Sequence, residues 1–297
     1  MPLFDLSERV KLRMTGEDRV RFLNGQVTND IRKANANLSM AACVLNTKGK
    51  IDAFIFVSAC AEDLFIDADS ELRTTLAPRL DRYLIADNVT IEDVTEKFSL
   101  FHVAGETAPT LPNDTNWRRA KRFGLVGWDL VVPAEEHDRV LQSLMAHYSL
   151  CDAECAERLR IEQGVPRWGR ELTDQIIPVE ANLADDAIDY AKGCYIGQEV
   201  ISRMKMSGQM NKRLRGLVSV HDAPLSAGMR LSTMSEEAKD VGWITSATRS
   251  DRLGKEIALG YVKRGFNEPG CELNALSASN PPSAALVRVE VVELPFR

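Results

Sequence analysis

The chain has 297 residues, 44% hydrophobic and 27% charged, with a formal net charge of -6. That length suits two or three domains and a core that needs neither metal nor disulfide support. The acidic balance argues against a protein that grips nucleic acid or anionic membrane through a basic field, and no apolar run approaches the roughly 20 residues that span a bilayer.

The N-terminus has no basic start followed by an apolar stretch, so neither a secretion signal nor a transit peptide is expected, and the cytoplasm is the expected location. Residues 6–15 read as a strand with Val10, Leu12 and Met14 on one face. Thr15 and Asp18 suggest a capping box before a helix through Val20, Leu23 and Val27. Thr28-Asn29-Asp30 ends it. Two apolar runs over 40–58 flank Thr47-Lys48-Gly49-Lys50 and predict a hairpin. Leu64 to Asp67 is a strand. Leucines at 72, 76, 80 and 84 predict a helix over 70–86, with a kink or restart at Pro78.

Strands follow at Val89–Val94, Phe98–Val103 and Leu125–Val132, with a loop over 107–118. Helices are expected over 135–148 and 152–163, the second capped by Asp152 and stopped by Gly164 and Pro166. Residues 165–192 read as mostly irregular, and a short helix runs from about Gly197 to Lys205. Beyond Lys212, strand runs at Leu214–Val220, Val241–Ser246, Ile257–Val262 and Ala285–Leu294 predict a small antiparallel barrel or sandwich. Strands and helices that do not strictly alternate give an α+β class.

Six cysteines are present, at 43, 60, 151, 155, 194 and 271, with no Cys-x-x-Cys pair. The spacing argues against disulfides, and Cys151 and Cys155 read as helix packing. A stable iron–sulfur cluster usually takes four thiolates, and no such set is evident. The four histidines are scattered, so no metal site is expected.

The most informative segment is Lys192-Gly193-Cys194-Tyr195-Ile196-Gly197-Gln198-Glu199. Two glycines bracket a cysteine just before an expected helix N-terminus. The helix dipole and Lys192 would both favour a thiolate, so an accessible reactive thiol is one reading. A buried, inert cysteine in a tight turn is the other.

This segment resembles the KGC[FY]xGQE signature of YgfZ-type folate-binding proteins, with Arg203 matching the basic residue that follows it. These proteins are relatives of the glycine-cleavage aminomethyltransferases and of the mitochondrial iron–sulfur assembly factors of the Iba type. Residues 159–166, Gly169, Glu171-Leu172, Pro178 and Glu180 resemble the stretch preceding that signature. Phe22-Leu23 and Thr28-Asn29-Asp30 resemble the N-terminal motif shared with the aminomethyltransferases. Residues 241–246, 257–262 and 294–296 resemble their C-terminal barrel.

The resemblance implies two α+β lobes in a ring with a C-terminal antiparallel β-barrel, and tetrahydrofolate or a one-carbon derivative in the central cavity. The expected division is 1–212 for the folate-binding region and 213–297 for the barrel. Glu162 and Glu180 match acidic positions, and a carboxylate suits the paired N–H donors of a pterin. For Glu162 the alternative is an ion pair with Arg158. Asn29 and Asp30 would face the folate, while Lys192 and Arg213 would meet its acidic tail. Cys194 would be the functional thiol. Asp52 matches one of two paired aspartates in the aminomethyltransferases, but here the pair reads Asp52-Ala53, which argues against transferase chemistry.

The implied function is a tetrahydrofolate-binding accessory protein for iron–sulfur enzymes, including tRNA-modifying ones. Its partners would be a reduced folate and iron–sulfur client or assembly proteins, without direct nucleic-acid contact. A folate-dependent aminomethyltransferase or demethylase is the alternative.

Overall fold

The computed structural model describes residues 1–109, 116–276 and 286–297. Residues 110–115 of the expected loop, and Ala285 of the last expected strand, lie outside the described residues. The chain forms two compact units, Met1–Asp152 with Leu183–Arg203, and Ala153–Asn182 with Met204–Arg297.

The first unit opens with β1 (Pro2–Asp5), β2 (Val10–Thr15), α1 (Arg19–Gln26), β3 (Leu38–Leu45), β4 (Ile51–Ala59) and β5 (Asp63–Ala68). It continues through α2 (Leu76–Asp81), β6 (Thr90–Asp93), β7 (Phe98–Ala104), β8 (Arg118–Arg122), β9 (Leu125–Pro133), α3 (His137–Met145) and β10 (Ser149–Leu150). Then come α4 (Ala153–Glu162), α5 (Ala184–Ala187) and α6 (Gln198–Ser207). The barrel strands are β11 (Lys212–Ser219), β12 (Arg230–Ser232), β13 (Asp240–Ser250), β14 (Lys255–Lys263), β15 (Glu272–Leu276) and β16 (Val287–Val292).

Among the described residues, the first unit's strands make one sheet, ordered β10-β1-β7-β9-β8-β3-β4-β5-β2-β6. The hairpin expected over 40–58 is β3–β4, with Met40 opposite Val57 and Val44 opposite Ala53. Alternation aims Leu12, Met14, Ile55, Val57, Leu64 and Ile66 at one buried face. Each such side chain contributes about 1.5–3 kcal/mol on full burial. Apart from β10, which pairs in parallel with β1 at one edge, the sheet has two antiparallel halves joined by a short parallel seam, Leu38 opposite Arg119 and Ser39 opposite Ala120.

Arg122 of β8 ties these halves together. It donates to Asp129 of β9 at 2.8 Å and to Asp67 of β5 at 2.7 Å, and stands 4.0 Å from the Phe56 ring centre. All three charged groups are buried. His102 extends the chain through Nδ1, 2.8 Å from Asp129.

Several local expectations change. Asp18, not Thr15, is the N-cap of α1, and it makes no capping bond. Its carboxylate instead accepts from the Asn88 amide at 2.8 Å and from Arg21. The helix expected over 70–86 is a 3₁₀ turn, Ser70–Leu72, followed by the short α2. Pro78 is the third residue of α2, within the first turn, where no N–H partner is needed. β8, with the sequence Arg-Arg-Ala-Lys-Arg, has too little apolar content to signal a strand. Cys151 and Cys155 are disulfide-bonded, contrary to the helix-packing expectation. Cys151 precedes the start of α4, so the two are not on one helical face.

In the second unit the barrel closes in the order β11-β14-β13-β12-β15-β16, with β16 returning to β11 through Gly216 opposite Val292. Its core holds Leu217, Leu231, Ile244, Val262, Leu273 and Val289. β12 and β15 are short strands that the sequence pattern does not reveal.

Candidate functional site

The signature segment is held by the residues around the end of α1. The Asp189 amide donates to the Thr28 carbonyl at 3.0 Å, and the Ile196 amide donates to that of Gly25 at 3.2 Å. The Thr28 hydroxyl donates to the Ala187 carbonyl at 2.6 Å and accepts from the Cys43 amide at 2.9 Å.

Lys192 supplies the strongest tie. It is 5% exposed, and its Nζ donates to the carbonyls of Asn24, Val27 and Asn29 at 2.7, 2.6 and 2.7 Å. These oxygens lie at and just beyond the C-terminus of α1, where helix carbonyls lack partners and the dipole favours a cation. The Tyr195 ring centre is 5.0 Å from Nζ. Burial pushes the Lys192 pKa down to about 8, against the opposing pull of Asp30 and Asp189.

Gly197 and the 46–50 turn interlock. Gly197 has a φ of +81°, and a Cβ there would stand 2.6 Å from the Asn46 carbonyl oxygen. Gly49, at the tip of the β3–β4 turn, faces Val200 of α6. Gly193 meets neither constraint: its φ is not positive, and an added Cβ would meet nothing within 4 Å. Between them Cys194 is a free, exposed thiol, four residues before α6 begins. Tyr195 is buried, while Glu199 makes an exposed pair with Arg203 at 2.6 Å.

Asn29 braces the edge of β3. Its Nδ2 donates to the Ala41 carbonyl at 2.8 Å, and its Oδ1 accepts the Asp30 amide at 2.9 Å. The Ala41 carbonyl lies just past the seam, where β3 has no β8 partner. A cleft of about 210 Å³ there is lined by Met40, Ala41, Phe56, Arg119, Lys121 and Asp186, among others. Asp30 is buried and receives Arg32 in a fork, with both bonds at 2.8 Å, which holds its carboxyl below the usual range. Asp52 accepts from Arg79 Nε at 2.5 Å and from Asn46 Nδ2 at 3.5 Å. Arg79 also donates to the Leu45 carbonyl at 2.5 Å. Sequence reasoning missed Arg79. It is a polar position among helical leucines, and nothing local says that it reaches Asp52.

The other candidates belong to the second unit. Glu162, at the end of α4, is buried; one oxygen accepts from the Ser250 hydroxyl, and the other is 3.7 Å from Arg252 Nε. Arg158 pairs with Asp251 at 3.4 Å, so the helix pair weighed for Glu162 does not form. Glu180 is buried, receives the Ile177 amide at 3.2 Å and stands 3.1 Å from Lys212. Arg213 donates to Asn182 Oδ1 at 2.8 Å. A neighbouring buried cluster, also not anticipated, joins Arg160, Glu171 and Ser246: Glu171 accepts from both at 2.7 Å. Among the described residues no three His, Cys, Asp or Glu side chains converge as metal ligands.

Residues 212–296 match the glycine cleavage T-protein C-terminal barrel domain. Across 96% of its length the chain is 26% identical to an aminomethyltransferase of Desulforamulus reducens, covering 85% of that protein. It is 25% identical, again across 96% of its length, to the mitochondrial iron–sulfur cluster assembly factor IBA57 homolog of Dictyostelium discoideum, covering 74% of it. The crystal structure of the glycine cleavage system aminomethyltransferase T from Bartonella henselae matches all of this chain and 86% of its own, with a TM-score of 0.85 at 18% identity. That last likeness is one of fold.

The C-terminal barrel is a glycine cleavage T-protein barrel domain, and nearly the whole chain is similar to proteins related to that system. The matched barrel includes Lys212 and Arg213, while the cysteine segment at 192–199 lies outside the matched residues.

Proposed function

We propose that this protein is a YgfZ-type, tetrahydrofolate-binding accessory factor that supports assembly or maintenance of iron–sulfur enzymes, tRNA-modifying ones among them, in the cytoplasm. The observation that carries the reading is the presentation of Cys194. The thiol is exposed, on a segment fixed on both sides by Lys192 and Gly197. A rigidly displayed thiol suits brief contact with a client or an assembly protein. The similarity to an iron–sulfur assembly factor over nearly the whole chain supports the same reading.

The residues present suit a reduced folate. A carboxylate has about four acceptor positions. Glu162 uses one oxygen on a hydroxyl and has its nearest cation at 3.7 Å, so it retains acceptor capacity for the paired N–H donors of a pterin. Glu180 is the second buried carboxylate available. Lys192 spends its donors on main-chain carbonyls, so Arg213 is the better partner for the ligand's acidic tail. Bound folate would supply a carrier for one-carbon units; this chain's residues would bind and orient it.

The second reading, a folate-dependent aminomethyltransferase or demethylase, draws on the similarity to the Desulforamulus reducens enzyme and on Asp52. Against it, both Asp52 oxygens are engaged by Arg79 and Asn46, and Ala53 stands beside it. The deciding experiment measures iron–sulfur enzyme activity in cells lacking this protein, complemented with wild type or Cys194→Ala. Rescue by wild type alone supports the accessory role. Undiminished activity in the deletion strain, together with methylenetetrahydrofolate formation from an aminomethyl donor, overturns it in favour of the enzyme.

A further inference from the structure

We propose that Arg213 and Arg215 form an oxyanion site at one end of the barrel, and that it takes a ligand carrying two carboxylates. Its natural occupant, a tail of more than one glutamyl residue, rests on the folate reading; the site itself rests on the barrel's own residues.

Among the described residues the buried arginines are Arg122, Arg160 and Arg215. Arg122 holds Asp67 and Asp129, and Arg160 holds Glu157 and Glu171. Arg215, 7% exposed, reaches no carboxylate among the described residues. It donates through Nε to the Asn267 carbonyl at 2.7 Å. A cation taken out of water without a counter-ion is costly, so a partner that arrives with the ligand is favoured there. Burial and the nearby Arg213 both lower the Arg215 pKa, and Glu268 and Glu293, beyond ion-pair reach, oppose them only in part.

Strand alternation puts Arg213 and Arg215 on one face of β11, about 6.5 Å apart along the chain. Leu217, the next residue on that face, belongs to the barrel core, and Val262 of the core stands opposite Arg213. The two guanidiniums therefore occupy the end of the core. Arg213 also commits only Nε, to Asn182 Oδ1 at 2.8 Å. The Nη groups of both side chains are uncommitted, and neither pair is sealed in among enclosed, partnerless atoms. A guanidinium offers paired N–H donors that fit one carboxylate. Two of them on one strand face fit two carboxylates on one ligand. On the folate reading, Arg213 meets one glutamyl carboxylate and Arg215 the next.

The test has two arms, both on the full chain. The first is thermal unfolding with sodium glutarate, acetate or phosphate at matched ionic strength. Glutarate should raise the wild-type midpoint most, and its advantage over acetate should vanish in Arg215→Gln and in Arg213→Gln. If one variant does not fold, the other carries the comparison. The second arm titrates tetrahydrofolate bearing one or three glutamyl residues. The longer tail should bind the wild type about tenfold tighter, and Arg215→Gln no tighter than the short one. Equal responses to glutarate and acetate in the wild type, an advantage that survives substitution, or a larger response to phosphate overturns the site. Folate binding that persists in that case leaves the folate reading standing. A glutarate response with folate binding absent, or indifferent to tail length, keeps the site and overturns the glutamyl tail as its occupant.

Discussion

A methyl group on Gly197 would stand 2.6 Å from the carbonyl oxygen of Asn46. Real side chains do not approach backbone that closely, and the φ of +81° is itself unfavourable for any residue but glycine. Gly197→Ala should therefore cost about 1–3 kcal/mol, read as a lower midpoint in denaturant. Gly193→Ala, immediately before Cys194 and on its other side from the turn contact, meets open space and should stay within about 0.5 kcal/mol of wild type. Equal effects of the two substitutions would show that the loop does not depend on the 46–50 turn.

The buried group around Arg122 makes a second prediction, with a sign that reverses between proteins. In the wild type, Arg122 holds the Asp129 and Asp67 carboxyls below their usual range, although burial alone would raise them. Lowered carboxylates add stability that is present above their unfolded pKa, about 4, and lost as pH falls below it. Arg122→Met leaves two buried carboxylates without this partner and should cost about 3–5 kcal/mol at pH 7. Their pKa values then rise, so the deficit should narrow as pH falls from 7 towards about 5. Denaturant titrations at several pH values check this. A deficit that widens on acidification counts against the account.

The parts of the fold that the sequence made legible are those with apolar periodicity. The β3–β4 hairpin, β9, α3, α4 and the long barrel strands carry alternating or helical apolar spacing, and each forms near its expected bounds. β8 does not show itself because Arg118, Arg119, Lys121 and Arg122 are charged, although Arg122 is buried among acids from distant strands. The same holds at the site. Cys194 and its two glycines stand out in one short segment. The Lys192 contacts join residues more than 160 positions apart, and Arg79 meets Asp52 across 27. Such pairings depend on topology, which local spacing does not encode.

Glu162 gives a prediction about ligand rather than stability. If its buried carboxylate receives the pterin donors, Glu162→Gln replaces one acceptor oxygen with a donor facing another donor. A charge-assisted pair contributes about 1.5–3 kcal/mol, so tetrahydrofolate affinity should fall by about 10- to 100-fold. Ser250→Ala removes a hydroxyl that Glu162 now accepts from, and should change affinity far less. Calorimetric titration of both variants measures this. Unchanged affinity in Glu162→Gln would move the pterin contact to Glu180.

The free thiols should differ in reactivity in a fixed order. Cys194 is exposed, Cys60 and Cys271 are part-buried with pKa values raised by burial, and Cys43 is fully enclosed and pushed up to about 12. The thiolate is the reactive form, so enclosure and a raised pKa both hold Cys43 back at neutral pH, while Cys194 is open to reagent. Brief alkylation of the folded protein, followed by peptide mass mapping, should modify Cys194 first and Cys43 only after unfolding. If the part-buried thiols react before Cys194, the displayed-thiol geometry does not hold in solution, and the argument for an accessory role loses its main support.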